Sequence, residues 1–111
     1  MYYKENEIKE YAIETIKERL EYDKDYLDND LYDIHNDLFN TDYYIIGIYQ
    51  AKKWLGDMAF DIIGIIKDYE QDNFGEIYTD LSDVERVVNM YVYIVGEQIL
   101  QDVINNIKER V

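Results

Sequence analysis

Apolar residues recur along most of this chain at helical spacing. Ile8, Ala12, Ile16 and Leu20 follow one another at i+4, with Ile13 widening the stripe, and predict a helix over residues 6–21. The stretch Asp23–Asp28 reads as a connection. Leu27, Leu31, Ile34 and Leu38 then fall in one narrow arc and predict a second helix over 29–39. Asn40-Thr41-Asp42 supplies a break and an N-cap for a third helix over 43–55, which Gly56 ends. A fourth helix is expected over 57–69, with Met58, Ile62, Ile65, Ile66 and Tyr69 facing inward. Residues 70–79 have no helical period and contain Asn73-Phe74-Gly75, so they read as a loop.

Ser82-x-x-Glu85 is a capping box, and it opens a last helix running to about residue 109. Its stripe is Val84, Val87, Val88, Tyr91, Ile94, Val95, Ile99, Val103 and Ile107. The segment Val87–Val95 also has high β-propensity. The capping box and the persistence of the period past Gly96 favour helix. The expected fold class is all-α: a single compact domain over residues 1–111, of about five helices, with the long C-terminal helix as its central packing element.

Composition agrees with this. The chain has 111 residues, no proline, no cysteine and only five glycines, which suits long helices and removes disulfides, thiolate zinc sites and thiol catalysis. Hydrophobic types make up 48%, enough for a packed core despite 25 acids against 11 bases and a net charge of −14. That charge repels nucleic acid and anionic membrane alike, while basic clefts on other proteins attract it. No basic-then-apolar leader opens the chain and no apolar run approaches the length of a membrane span, so a cytoplasmic location is expected.

The charge is unevenly placed. Residues 21–42 set eight acids against Lys24, and residues 57–85 set nine against Lys67. Residues 43–56 carry only Lys52 and Lys53, and the last 26 residues are neutral. A solvated acidic coat accounts for such blocks without any specific function.

Little in the sequence supports catalysis. His35 is the only histidine and reads as a packing residue beside Tyr32 and Phe39. No glycine-rich loop precedes a helix, and Asp23-x-Asp25 and Asp68-x-Glu70-x-Asp72 lack the glycine and terminal acid of a calcium loop. One enzyme alternative rests on Glu18-x-x-Glu21 and Asp30-x-x-Asp33, paired carboxylates of the kind that all-helical nucleoside-triphosphate pyrophosphohydrolases use to hold Mg²⁺.

The non-enzymatic reading uses the acids as a surface. Asp57, Asp61 and Asp68 would share one helix face, spaced by about 6 and 10 Å, and Asp30, Asp33 and Asp37 would form a similar row. DNA advances about 3.4 Å per phosphate along a strand, so such rows approximate phosphates over a short length. Tyr22, Tyr26, Tyr32, Tyr43, Tyr44, Tyr69 and Tyr78 lie in or beside the acidic blocks and suit a binding surface, although many would serve the core.

From Glu18 to Tyr49 the chain resembles phage DNA-mimic anti-restriction proteins of the overcome-classical-restriction kind. The shared order is an amphipathic helix ending near Tyr22-Asp23, an acidic connection, Asp33-Ile34-His35, then Tyr43-Tyr44 opening the next helix. The resemblance implies inhibition of a DNA-binding host defence enzyme through its DNA channel; acidic anti-CRISPR proteins offer an equal analogy. The expected partner-facing residues are Asp23, Asp25, Asp28, Asp30, Asp33 and Asp37 with Tyr26 and Tyr32, and Asp57, Asp61, Asp68, Glu70 and Asp72. No catalytic residue, metal or cofactor is expected, nor direct binding to nucleic acid or membrane. The neutral, apolar C-terminal helix is a candidate homodimer seam. A protein-interaction adaptor without mimicry is the competing non-enzymatic reading.

Overall fold

The computed structural model describes residues 1–40 and 44–109, and these are all-helical, with no strand among them. Four α-helices are present among the described residues: α1 (Glu5–Tyr22), α2 (Leu31–Leu38), α3 (Ile48–Phe74) and α4 (Val84–Glu109), with a 3₁₀ turn over Tyr26–Asp28. No helix among the described residues is long and apolar enough to cross a membrane. The expected Asn40-Thr41-Asp42 break and the Tyr43 helix start fall partly on residues 41–43, outside the described residues.

The contacts group the chain into two compact units, residues 1–40 with 95–111, and residues 41–94. In the first, Ile8, Ala12 and Ile16 of α1 are buried, as the i+4 stripe predicts, together with Ile34, Leu38 and Phe39. Leu31 is 40% exposed, because α2 starts there and Leu27 belongs to the preceding 3₁₀ turn. Arg19 at the end of α1 reaches Asp37 of α2, Nε to Oδ2 at 3.0 Å, and the Tyr26 hydroxyl donates to the same oxygen at 2.7 Å. Tyr11 donates to the Leu38 carbonyl at 2.7 Å. From α4, this unit buries Val95, Ile99, Leu100, Val103, Ile104 and Ile107.

Phe39 is 1% exposed and packs against the backbone of Gly96. A Cβ built on Gly96 would lie 2.6 Å from the Phe39 ring. Glycine at 96 is therefore a packing requirement in the middle of a helix, where glycine otherwise costs about 1 kcal/mol relative to alanine.

In the second unit, the separate third and fourth helices of the sequence reading run together as α3, 27 residues in two helical segments joined across a kink. Gly56 does not end it. Mid-helix glycine is a modest cost rather than a stop, and the chain has no proline to enforce one. The irregularity falls instead at Met58, whose φ of −138° and ψ of 48° kink the helix. The helix then continues through the expected loop to Phe74. Gly75, with φ 78°, caps it in the left-handed region, its N–H donating to the Gln71 carbonyl.

Ala51, Trp54, Ile62 and Ile66 of α3 are buried in this unit, as are Val87, Val88, Tyr91, Val92 and Ile94 of α4. Ile65 and Tyr69 are half-buried and Met58 is 37% exposed, so the inward stripe is narrower than expected. Asn89 explains the extended approach to α3: its side chain accepts the Ile46 N–H at 2.8 Å and donates to the Ile46 carbonyl at 2.7 Å.

α4 is a helix over the whole β-prone segment. Its cap lies one residue later than the Ser82 box: Asp83 accepts the Arg86 N–H at 3.2 Å, while the Ser82 hydroxyl donates to Asp80. The expected dimer seam is also revised. Ile99, Val103 and Ile107 are 4%, 2% and 8% exposed within one chain, so that stripe is already covered. Glu97, Gln98, Gln101, Asp102, Asn105 and Asn106 form the exposed side.

The Gly96 contact gives a paired prediction. Gly96→Ala should destabilise by about 1–3 kcal/mol through the clash with Phe39. Gly64→Ala, where nothing lies within 4 Å of the added Cβ, should stabilise by about 0.5–1 kcal/mol. Urea melts of both variants check the opposite signs.

Candidate functional site

The first acidic surface is built at the end of α1, through the 3₁₀ turn, and into α2. Its carboxylates are exposed for a local reason: this segment turns twice within a few residues, and aspartates serve such turns. Asp23 accepts the Asp25 N–H at 3.0 Å, and Asp30 caps α2 by accepting the Tyr32 N–H at 2.9 Å. Asp25, Asp28 and Asp33 are exposed, and no hydrogen bond or ion pair occupies their carboxylates among the described residues. The expected Asp30–Asp33–Asp37 row is therefore not uniform. Asp30 precedes the helix as its cap, and Asp37 is held by Arg19 and Tyr26, which leaves Asp33 as its one carboxylate without such a role.

The Asp37 clasp sets its protonation. Partial burial works to raise the carboxyl pKa, but the hydrogen bonds from Tyr26 and Arg19 and the guanidinium charge outweigh it, and the group titrates below the ordinary Asp range. Tyr26 moves the opposite way: burial first, then its bond to the Asp37 carboxylate, push the phenol well above its ordinary value.

Tyr26 is 8% exposed and leaves the partner-facing set, because it packs against the core and directs its hydroxyl to Asp37. Tyr32 is 70% exposed and stays in it, and Tyr22 at the end of α1 is 91% exposed. His35 is buried, 5.6 Å from the Phe39 ring, in the packing position that its sequence neighbours suggest.

The second acidic surface lies on α3. Asp57 is exposed but sits before the kink at Met58, so it does not continue the face of Asp61 and Asp68. The uninterrupted part of the helix provides a different row. Asp61, Asp68 and Asp72 lie within about 40° of each other, spaced by about 10 and 6 Å along the axis. All three are exposed. Asp72 joins them because the helix runs on to Phe74.

Glu70 does not belong to this surface. It continues the Ile62–Ile66 register by one more i+4 step, and its side chain is 1% exposed. There the carboxylate accepts the backbone N–H groups of Tyr78 and Thr79, each at 3.0 Å. A buried carboxylate is tolerable when such donors meet it. The register of Ile62 and Ile66 was the available signal in the sequence; the assumption of a loop from residue 70 hid it. The same assumption hid the exposed Phe74 and Ile77, which stand beside Tyr78.

Among the described residues no group of three or more His, Cys, Asp or Glu side chains is arranged to hold a metal ion. The two carboxylate pairs of the Mg²⁺ alternative are thus not assembled into one cage. A crevice lined by Tyr44, Arg86, Asn89 and Met90 holds about 40 Å³, well short of the several hundred Å³ of an ordinary ligand pocket. Comparison with protein families, curated proteins and solved structures returns no match to this chain.

The clasp predicts a pH effect of definite sign. A carboxyl whose folded pKa is depressed stabilises the fold above its unfolded value, ordinarily 3.8 for Asp, and that contribution is lost as pH falls through the folded value. Arg19 and Asp37 side chains are 42% and 44% exposed, so solvent screening limits the effect of Asp37→Asn to about 0.5–1 kcal/mol at neutral pH. Urea melts should show this difference at pH 7 and its disappearance as the pH is taken below the ordinary Asp range.

Proposed function

We propose that this protein is an inhibitory decoy, which places carboxylates in the basic nucleic-acid cleft of a host defence protein of the restriction or CRISPR type. One observation carries the reading. Two stretches rich in acid and almost without cations present most of their described carboxylates outward on helices and short turns, with Lys24 and Lys67 as the sole bases within them. The Asp61–Asp68–Asp72 row fixes carboxylates along one rigid axis, and Asp25, Asp28 and Asp33 offer a shorter group. A cleft that binds DNA by neutralising phosphates accepts such charges by the same long-range attraction.

The adaptor reading has its own support in Tyr22, Tyr32, Tyr49 and Tyr78, which are 62–91% exposed. The two readings differ in what they depend on. Decoy binding is spread over many charges and is sensitive to salt, whereas adaptor binding concentrates in a few aromatic anchors.

The test measures DNA binding by a panel of restriction and CRISPR effector complexes with this protein as competitor. Inhibition should be competitive with DNA and should weaken steeply between about 50 and 200 mM salt. Asp61, Asp68 and Asp72 all changed to Asn, or Asp25, Asp28 and Asp33 all changed to Asn, should each weaken inhibition by about three- to 150-fold, the sum of small contributions of about 0.2–1 kcal/mol per charge. Helicity should be unchanged, because none of these six carboxylates caps a helix. Inhibition that ignores salt and survives both triple substitutions, but is lost on changing Tyr22 and Tyr32 to Ala, would replace the decoy with the adaptor.

A further inference from the structure

Beyond the last turn of α3 the second unit carries apolar area that its core does not use. Phe74, Ile77 and Tyr78 are 53%, 42% and 62% exposed. Phe74 stands between two other rings, 6.3 Å from Tyr69 at an interplanar angle of 80° and 5.6 Å from Tyr78 at 73°. An edge-to-face contact covers at most one face of a ring, and the exposure of Phe74 and Tyr78 leaves further ring surface open to another group; ring faces carry negative electrostatic potential.

The row is held in place rather than loosely attached. Gly75 closes α3 in the left-handed region, and Gln71 Nε2 donates to its carbonyl at 2.9 Å. A few residues on, the Glu70 carboxylate takes the N–H groups of Tyr78 and Thr79, and Thr79 is 6% exposed. Turning Tyr78 inward would require breaking the bonds that satisfy a buried charge. The aromatic row is thus kept in solvent by its own backbone, and a partner docking on it loses little further conformational entropy.

The surrounding charge selects the partner's chemistry. No Lys, Arg or His occurs between residues 68 and 85, while Asp68, Asp72, Glu76, Asp80 and Asp83 are exposed there. A purely apolar partner would leave that negative field unanswered, and an ammonium, although it is attracted to a ring face, cannot stack flat against it. Arginine answers both: its planar guanidinium stacks on an aromatic face while its charge faces carboxylates. We propose that the Phe74–Ile77–Tyr78 surface is a docking site for an arginine-bearing basic segment of a protein partner. This rests on the acidic surface facing a partner, and adds to it a defined anchor and a preference for arginine over lysine.

The experiment titrates the full chain with an oligo-arginine peptide and, separately, an oligo-lysine peptide of equal length, following backbone amide chemical shifts. The arginine peptide should perturb residues 74–79 most and bind about fivefold tighter than the lysine peptide. Phe74→Ala with Tyr78→Ala should remove that preference. Phe74→Leu with Tyr78→Leu, which retains apolar bulk, should remove it as well, so a folding defect in the alanine pair leaves the test intact. Changing Asp61, Asp68 and Asp72 to Asn should weaken both peptides in similar proportion. Equal binding of the two peptides, shifts spread evenly over all acidic residues, or an arginine preference that survives loss of both rings would overturn the proposal. Those outcomes leave competition with DNA untouched, whereas loss of that competition with the arginine preference intact would remove the decoy and keep the docking site.

Discussion

Mutual repulsion among carboxylates opposes compaction of a chain with net charge −14, and the apolar core has to exceed it. The structure meets this constraint by separation. Nearly every acid of the two charged stretches is exposed, where water screens it, and the apolar stripes of α1, α3 and α4 turn inward. Glu70 is the one acid buried among those described, and Asp37, although exposed, is tied down at the surface; both have a named compensation. Glu70 is buried against two backbone N–H groups, and Asp37 is held by a guanidinium and a phenol.

Several acids that look interchangeable in the sequence do different work. Asp23, Asp30, Asp80 and Asp83 organise turns and helix starts through their side-chain oxygens. Asp25, Asp28, Asp33, Asp61, Asp68 and Asp72 do not, and they are the carboxylates whose contribution can be attributed to charge rather than to folding. That division matters more to a surface reading than the count of acids does.

The parts of the fold legible in the sequence were those where one periodic signal acted alone. The i+4 stripe of Ile8, Ala12 and Ile16 placed α1 to within a residue at each end, and the long stripe of α4 overrode the β-propensity of Val87–Val95. The reading failed where a local signal was weighed without its context. Gly56 suggested a stop, although a glycine in a proline-free helix is only a modest cost. Asn73-Phe74-Gly75 suggested a loop, although Gly75 serves as the cap of a helix that arrives there intact. Glu70 was assigned to the surface by its charge, whereas its register with Ile62 and Ile66 points it inward. At the candidate site, exposure of the aspartates was legible and their division of labour was not, because capping and clasping depend on backbone positions that composition does not encode.

The position of Trp54 has a practical consequence. It is the chain's only tryptophan, it belongs to the second unit, and it is 5% exposed. The first unit contains tyrosines but no tryptophan. Indole emission therefore reports on the solvation of one unit alone, while far-ultraviolet ellipticity reports on helices from both. Recorded together on one sample, the two signals distinguish cooperative loss of the whole chain from stepwise loss of its parts, without any label being attached.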